Sequence, residues 1–346
     1  SRLWMLGPAL SLMWMVTANS GFAASQSGVR LAIAGPIAAA GLLLAAAMAV
    51  TGARQPTSAR TSALVAAAPA AAVAGVFWAG GAAVLVALVG AQLATFAVIS
   101  ATLDRPANDG LGTGLPVART AATASLVGLG TIAPQLVFQV DYDTPLGFPN
   151  ELVIIATAAL FGAAALARGA RAAEVEQSVA RSPAQPLASR SSRALVAGAA
   201  AMVLLGSALA IGRAVTTDPE SNLVSATEPL TLMSWNIHYG VDHEADVDLE
   251  QIARSIAEQD PSIVTLQEVS RGWVLGGGTD MTTWLAQRLD MRVAYAPAAD
   301  RQFGNAVLTN LPMNDVTIIE LPYGQGPQER SAIAVDVETP GGTIRI

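Results

Sequence analysis

Residues 62–103 run for 42 positions without one charged side chain. As a single α-helix this run would be about 63 Å long, roughly twice what the hydrocarbon core of a bilayer requires. It must therefore turn back on itself. Gly80-Gly81 is the place where the pattern breaks, so the sequence predicts a helical hairpin of 62–79 and 81–103. Five further stretches have the same character: 3–24, 29–51, 116–140, 148–167 and 194–213. Each has the length and apolarity that a membrane-crossing helix needs. The expected N-terminal architecture is an all-α polytopic bundle of about seven spans.

Charge divides the chain in two. Residues 1–213 carry 12 arginines and 7 acidic residues, whereas 214–346 carry 7 arginines and 19 acidic residues. The first part is net +5 and the second net −12. Over the whole chain only 13% of residues are charged and 52% are hydrophobic. An ordinary soluble domain is about one quarter charged, so a purely soluble protein is excluded. Disorder is excluded too, because it needs low hydrophobicity. Cysteine is absent, which removes disulfides, thiolate nucleophiles and thiolate metal sites. The reading is a transmembrane region, 1–213, a polar linker, 214–229, and a water-soluble domain, 230–346. The acidic balance of that domain argues against non-specific binding to nucleic-acid phosphates.

Arginine placement orients the spans. Arg2, Arg54, Arg60, Arg105, Arg119, Arg168, Arg171, Arg181, Arg190 and Arg193 all fall on one side if the count is seven. The other side has Arg30 and the acidic loop from Asp141 to Glu151. The arginine-rich side is cytoplasmic by the positive-inside rule, so the soluble domain is expected outside the cytoplasm, in a protein of the cell membrane. An even count would reverse this. Alternatively, residues 3–24 are a signal peptide ending at Phe22-Ala23-Ala24, which leaves the domain on the same side. Asn19, Gln92, Gln135 and Gln139 read as interhelical hydrogen-bonding groups; a polar pocket for a lipid headgroup is the other reading. Residues 168–193 read as a flexible loop. The start at Ser1, and the end at Ile346 within a strand-like run, suggest a fragment truncated at both ends.

Within the soluble part, Thr231–Trp235 reads as a buried strand that ends at Asn236. A helix follows, with Leu249, Ile252, Ala253 and Ile256 on one apolar face. Asp260-Pro261 closes it. A second strand, Ser262–Gln267, leads to Glu268. A strand–helix–strand unit of this kind is a right-handed crossover between parallel strands. Both strand ends then emerge at one rim of the sheet, which is where ligands bind in such folds. A hard cation such as Mg²⁺ needs only one or two carboxylates, with water and phosphate oxygens completing its shell. Glu268 is one candidate ligand; an exposed strand-end carboxylate is the plain alternative. Strands are also expected at 292–297, 303–309, 315–321 and 331–338, and a helix from Asp280 with Trp284, Leu285 and Leu289 inward.

The words themselves carry more. Met233-Ser234-Trp235-Asn236-Ile237-His238-Tyr239-Gly240, then Leu266-Gln267-Glu268-Val269, then Phe303-Gly304-Asn305-Ala306-Val307-Leu308-Thr309-Asn310-Leu311-Pro312 occur in this order. Together they resemble motifs of the endonuclease/exonuclease/phosphatase superfamily, the third being similar to its G-N-A-x-L-S-x-x-P strand. The combination with preceding spans resembles bacterial membrane-bound members. In layout it is more loosely similar to eukaryotic proteins implicated in remodelling GPI-anchor lipids.

The resemblance implies the first half of an α/β (α+β) domain, a two-layer β-sandwich of the deoxyribonuclease I-like type. It implies metal-dependent hydrolysis of a phosphoester with Mg²⁺ (or Mn²⁺). Glu268 and Asn236 match the family's metal-site positions, with Asn305, Arg330 and His238 as weaker substrate-binding candidates. The family's catalytic histidine, Asp-x-Asn pair and terminal Asp-His pair would lie beyond Ile346. No catalytic residue is therefore assigned, and this stretch alone is expected to be inactive. The expected partners are the phospholipid bilayer and a phosphodiester, lipid-linked by preference. A non-catalytic scaffold or lipid-binding protein and an extracellular nuclease are the alternatives.

Overall fold

The computed structural model describes residues 2–51, 59–103, 117–175, 197–209, 230–244, 246–322 and 328–346. Ten α-helices are described: α1 (Leu6–Leu12), α2 (Ser20–Ser27), α3 (Leu31–Thr51), α4 (Ala59–Trp78), α5 (Ala82–Leu103), α6 (Val117–Val140), α7 (Glu151–Val175), α8 (Ala197–Leu209), α9 (Leu249–Gln259) and α10 (Met281–Leu289). The chain divides into two compact units. One comprises residues 1–19 and 36–206, the other 20–35 and 207–346.

The first unit is helical. α3, α4, α5 and α6 are each long and apolar enough to cross a membrane, while the apolar helices over 3–17, 151–166 and 197–209 are shorter. The hairpin turn falls where the glycine pair placed it, between Trp78 and Ala82, with Gly81 at φ +57°. Gln92 on α5 is buried, and its Nε2 donates to the carbonyls of Thr17 (2.8 Å) and Ala38 (2.9 Å). It thus ties three helical segments together, as the interhelical reading expects. Gln135 donates to Thr131 of its own helix instead.

Two expectations are corrected. The stretch 3–24 is not one helix. α1 passes into a π-helical turn, Met13–Thr17, and ends at Ala18, where the Asn19 amide donates to the Trp14 carbonyl. A side chain that satisfies a terminal carbonyl competes with continuation of the helix. Residues 20–27 then form the separate helix α2. The loop expected over 168–193 is helical at its start, because α7 continues to Val175; 176–193, like the linker 214–229, lies outside the described residues.

Among its described residues the second unit carries seven strands: β1 (Leu232–Asn236), β2 (Ile263–Ser270), β3 (Arg292–Ala298), β4 (Phe303–Thr309), β5 (Met313–Glu320), β6 (Ser331–Thr339) and β7 (Gly342–Arg345). They form a four-stranded sheet in the order β1-β2-β4-β3 and a three-stranded sheet in the order β5-β6-β7. β1 and β2 are parallel, joined through α9, and all other pairs are antiparallel. Asp248 caps α9, accepting from Gln251 N–H at 2.9 Å, and Asp280 caps α10 by accepting from Thr283 N–H. Such caps satisfy amides that the helix cannot, and each contributes about 1 kcal/mol.

The two faces of the larger sheet have different cores. Ile252, Ala253 and Ile256 of α9 and Met281, Leu285 and Ala286 of α10 pack on Val264, Leu266 and Val269 of β2 and Ala306 and Leu308 of β4. On the opposite face Ile263, Ala294 and Val307 meet Val335 and Val337 of β6. The layers are helices, sheet, sheet.

Candidate functional site

Parallel pairing brings the C-terminal ends of β1 and β2 to the same rim. Asn236 stands opposite Gln267, and Ile237 N–H donates to the Gln267 carbonyl at 3.1 Å. On β1, Met233 and Trp235 pack toward the helices. Period-2 alternation therefore puts Leu232, Ser234 and Asn236 on the other face.

β2 does something less regular. Leu266 and Val269 both belong to the helix-side core, although residues three apart in a regular strand face opposite ways. A β-bulge resolves the conflict. Leu266 pairs with Ala306 and Val269 with Gly304, so Gln267 and Glu268 together oppose the single residue Asn305. The extra residue shifts the phase of the strand. Gln267 and Glu268 thereby emerge on the face away from the helices, where Gln267 Nε2 lies 3.4 Å from Ser234 Oγ. Asn305 follows the same alternation, since Ala306 points to the helices. Asn236, Glu268 and Asn305 therefore share one face and one end of the sheet. Sequence order put the first two at a common rim; the bulge, which no residue pattern announced, brings in the third.

The backbone here departs from ordinary strand geometry. Glu268 has φ 55°, His238 φ 46° and Tyr239 φ 58°. Left-handed conformations in residues with a Cβ cost of order 1–2 kcal/mol each, and they concentrate at functional sites. The Asn236 carboxamide oxygen accepts from His238 N–H at 2.9 Å and so shapes this turn. His238 is exposed at its crest. His243 lies farther along, exposed beside Glu244, as a solvated surface residue.

Asn305 also links the two sheets. Its Nδ2 donates to the Ser331 carbonyl at 2.8 Å, at the start of β6. Arg330 precedes Ser331 and is exposed, its carbonyl accepting from Leu321 N–H. It thus stands at the Asn305 end of β6.

Three aromatic residues line this end of the larger sheet. The Tyr239, Trp273 and Phe303 rings contact one another, with centroids 5.0, 4.6 and 4.8 Å apart. Trp273 is half-buried within this cluster. Tyr239 and Phe303 were not singled out in the sequence, although both sit inside the quoted motifs. The loop that carries Trp273 is fixed by a buried ion pair. Arg271 donates through Nε (3.1 Å) and Nη2 (2.7 Å) to the Asp280 carboxylate, which also accepts from Thr282 Oγ1. Burial pushes the Asp280 carboxyl up, but Arg271 and the Thr282 and Thr283 hydrogen bonds outweigh it and hold the carboxyl below its ordinary value.

Glu268 and Asn236 supply oxygen donors, which suit a hard divalent cation. No group of three His, Cys, Asp or Glu able to hold a metal occurs among the described residues. The donor set fits a cation with one carboxylate and a largely water and phosphate shell, and does not fit a fully protein-ligated metal.

Residues 227–346 match the family model described as "PGAP2IP, C-terminal nuclease-like domain". This C-terminal part of the chain is thus similar to the nuclease-like domains of the endonuclease/exonuclease/phosphatase superfamily. Two solved structures are also similar. One is an endonuclease/exonuclease/phosphatase from Beutenbergia cavernae DSM 12333, at 25% identity and TM-score 0.29 over 34% of this chain and 36% of that one. The other is an endonuclease/exonuclease/phosphatase family protein from Leptotrichia buccalis C-1013-b, at 16% identity and TM-score 0.27 over 34% of this chain and 53% of that one. The chain thus spans about one third and one half of their lengths. No curated protein matches it.

Proposed function

We propose that the protein is a membrane-anchored, divalent-metal-dependent phosphoesterase. Its region 1–213 crosses the membrane about seven times, 214–229 links, and 230–346 is the first half of a deoxyribonuclease I-like sandwich outside the cytoplasm. The observation that carries this reading is the convergence of Asn236, Glu268 and Asn305 on one face and one end of the larger sheet. Glu268 and Asn236 would hold Mg²⁺ or Mn²⁺. The cation would supply neutralisation of phosphate charge and stabilisation of the leaving oxygen.

The chain's own residues do the rest. The bulge presents the Glu268 carboxylate on the face away from the helices. The Asn236 side chain holds the turn that places His238 at the rim. Asn305 fixes the spacing between the sheets, and Arg330, one residue from its acceptor, offers a guanidinium to a phosphate oxygen. A phosphodiester carried by a lipid is the preferred substrate, because the domain is acidic and tied to apolar helices.

Mn²⁺ binding by the intact protein, read by electron paramagnetic resonance, tests the metal assignment. Glu268→Ala should weaken it about 10–100-fold, the scale on which metal-site residues act. Unchanged binding would remove Glu268 from the site. Hydrolysis of DNA in preference to a lipid-linked diester would assign the nuclease alternative, and metal binding without hydrolysis a scaffold.

A further inference from the structure

Helix α2 is separated from the soluble domain by more than 200 residues, yet it forms one compact unit with it. Gly21 through Ser27 are buried. At one end the helix lies directly on the loop that follows Glu268. A Cβ on Gly21 would come within 2.7 Å of the Gly278 carbonyl oxygen and 3.0 Å of the Gly272 Cα. A Cβ on Gly272, at φ +81°, would overlap the Phe22 backbone. Backbones this close leave no space for a side chain on either glycine.

At its other end α2 grips the β3–β4 turn. Ser25 Oγ donates to the Arg301 carbonyl, Gln26 Nε2 donates to the Asp300 carbonyl, and Arg301 Nη1 donates to the Gln26 carbonyl at 2.9 Å. In that turn Ala299 (φ 48°) and Arg301 (φ 69°) are left-handed. Such a conformation persists where surrounding contacts impose it. The two gripped segments flank the candidate site. Residues 272–278 follow β2 and carry Trp273, and 299–301 lead into Phe303 and Asn305 on β4.

We propose that residues 20–27 are a brace, contributed by the N-terminal region, that docks on the soluble domain and positions both loops beside Glu268 and Asn305. Docking fixes topology as well. A brace and a domain that touch lie on one side of the bilayer, so the chain between them crosses an even number of times. Among the described residues six helices, α3 to α8, lie between. The orientation of α3 under the positive-inside rule then sets the side, whatever the first apolar helix does. This consequence deepens the extracytoplasmic placement proposed above; the brace itself does not depend on phosphoesterase activity.

Residues 1–346 hold no cysteine, so each thiol introduced in this stretch reports on a single known site. Single variants Arg30→Cys, His243→Cys and Arg60→Cys are treated in intact cells with an impermeant maleimide. Arg30→Cys and His243→Cys should label and Arg60→Cys should not. Opposite labelling of Arg30→Cys and His243→Cys would overturn the brace. In detergent, Ser25→Cys should react at least about tenfold slower than Arg30→Cys, as expected of a site exposed only by local opening. Adding Gly21→Leu, or separately Gln26→Ala with Arg301→Ala, should raise its rate toward that of Arg30→Cys. The second pair removes hydrogen bonds without adding bulk, so it reports even if Gly21→Leu fails to fold. If Ser25→Cys reacts fast at once, or stays slow in both backgrounds, α2 is not held by this contact and the brace is wrong. These readouts do not involve hydrolysis, so an inactive protein with the expected labelling would sink the phosphoesterase reading and leave the brace.

Discussion

Asn305 on β4 stands alone opposite two residues of β2, Gln267 and Glu268, at a bulge between Leu266 and Val269. Its amide reaches the Ser331 carbonyl of the second sheet. One residue thus stands opposite the bulge and ties the layers together. Asn305→Ala should destabilise the domain by about 1–2 kcal/mol through the lost hydrogen bond and its unsatisfied acceptor. Asn305→Asp, which cannot donate when ionised, should lose about as much. Chemical unfolding in detergent reads both; two neutral substitutions would mean that the bond contributes nothing.

Glu268 keeps a left-handed φ of 55°, a conformation that glycine adopts without penalty. Glu268→Gly should therefore leave stability unchanged or raise it by up to about 1 kcal/mol, because relieved strain offsets the greater freedom of the unfolded chain. The same variant should lose metal binding. A drop in stability beyond about 1 kcal/mol would show that the carboxylate holds the fold rather than serving the site.

The buried Arg271–Asp280 pair gives the domain an acid limit. Asp280 is held below its ordinary value, so it binds a proton less readily folded than unfolded. Its contribution is complete above the unfolded value near pH 4 and is lost as pH falls through the lowered folded value. Asp280→Asn should flatten that part of the stability profile, and Asp280→Ala should cost about 3–5 kcal/mol by stranding Arg271. Urea midpoints measured between pH 3 and 7 decide this. An unaltered acid slope in Asp280→Asn would assign the acid sensitivity elsewhere.

Phe303 is 5% exposed and contacts both Tyr239 and Trp273. Phe303→Ala should cost about 3–5 kcal/mol, the usual scale for a buried ring. Phe303→Leu should recover most of that. Equal losses in both variants would point to ring geometry rather than volume.

Much of this was legible from residue patterns because each signal was local. The 3.6-residue spacing of Ile252 and Ile256 and the stop at Asp260-Pro261 define α9, and apolar strands on either side define β1 and β2. The resemblance then named Asn236, Glu268 and Asn305. The bulge left no trace, since Val-Thr-Leu-Gln-Glu-Val reads equally well as a regular strand. α2 was misread for a physical reason: Phe22-Ala23-Ala24 buried against protein has the same composition as a lipid-facing turn. Only Asn19, which ends the preceding helix, marked the break. The contacts of Ser25 and Gln26 with residues near 300 are too distant in sequence for any pattern to reveal.

The proposed function requires that the rim carrying Glu268 cleave phosphodiesters. The most direct measurement is hydrolysis of bis(p-nitrophenyl) phosphate by the intact protein, with and without Mg²⁺, for wild type and Glu268→Ala. We expect metal-dependent turnover that EDTA abolishes and that Glu268→Ala lowers by about 100-fold or more, about 2.7 kcal/mol of transition-state stabilisation. Turnover that survives EDTA and is equal in both proteins would contradict the account.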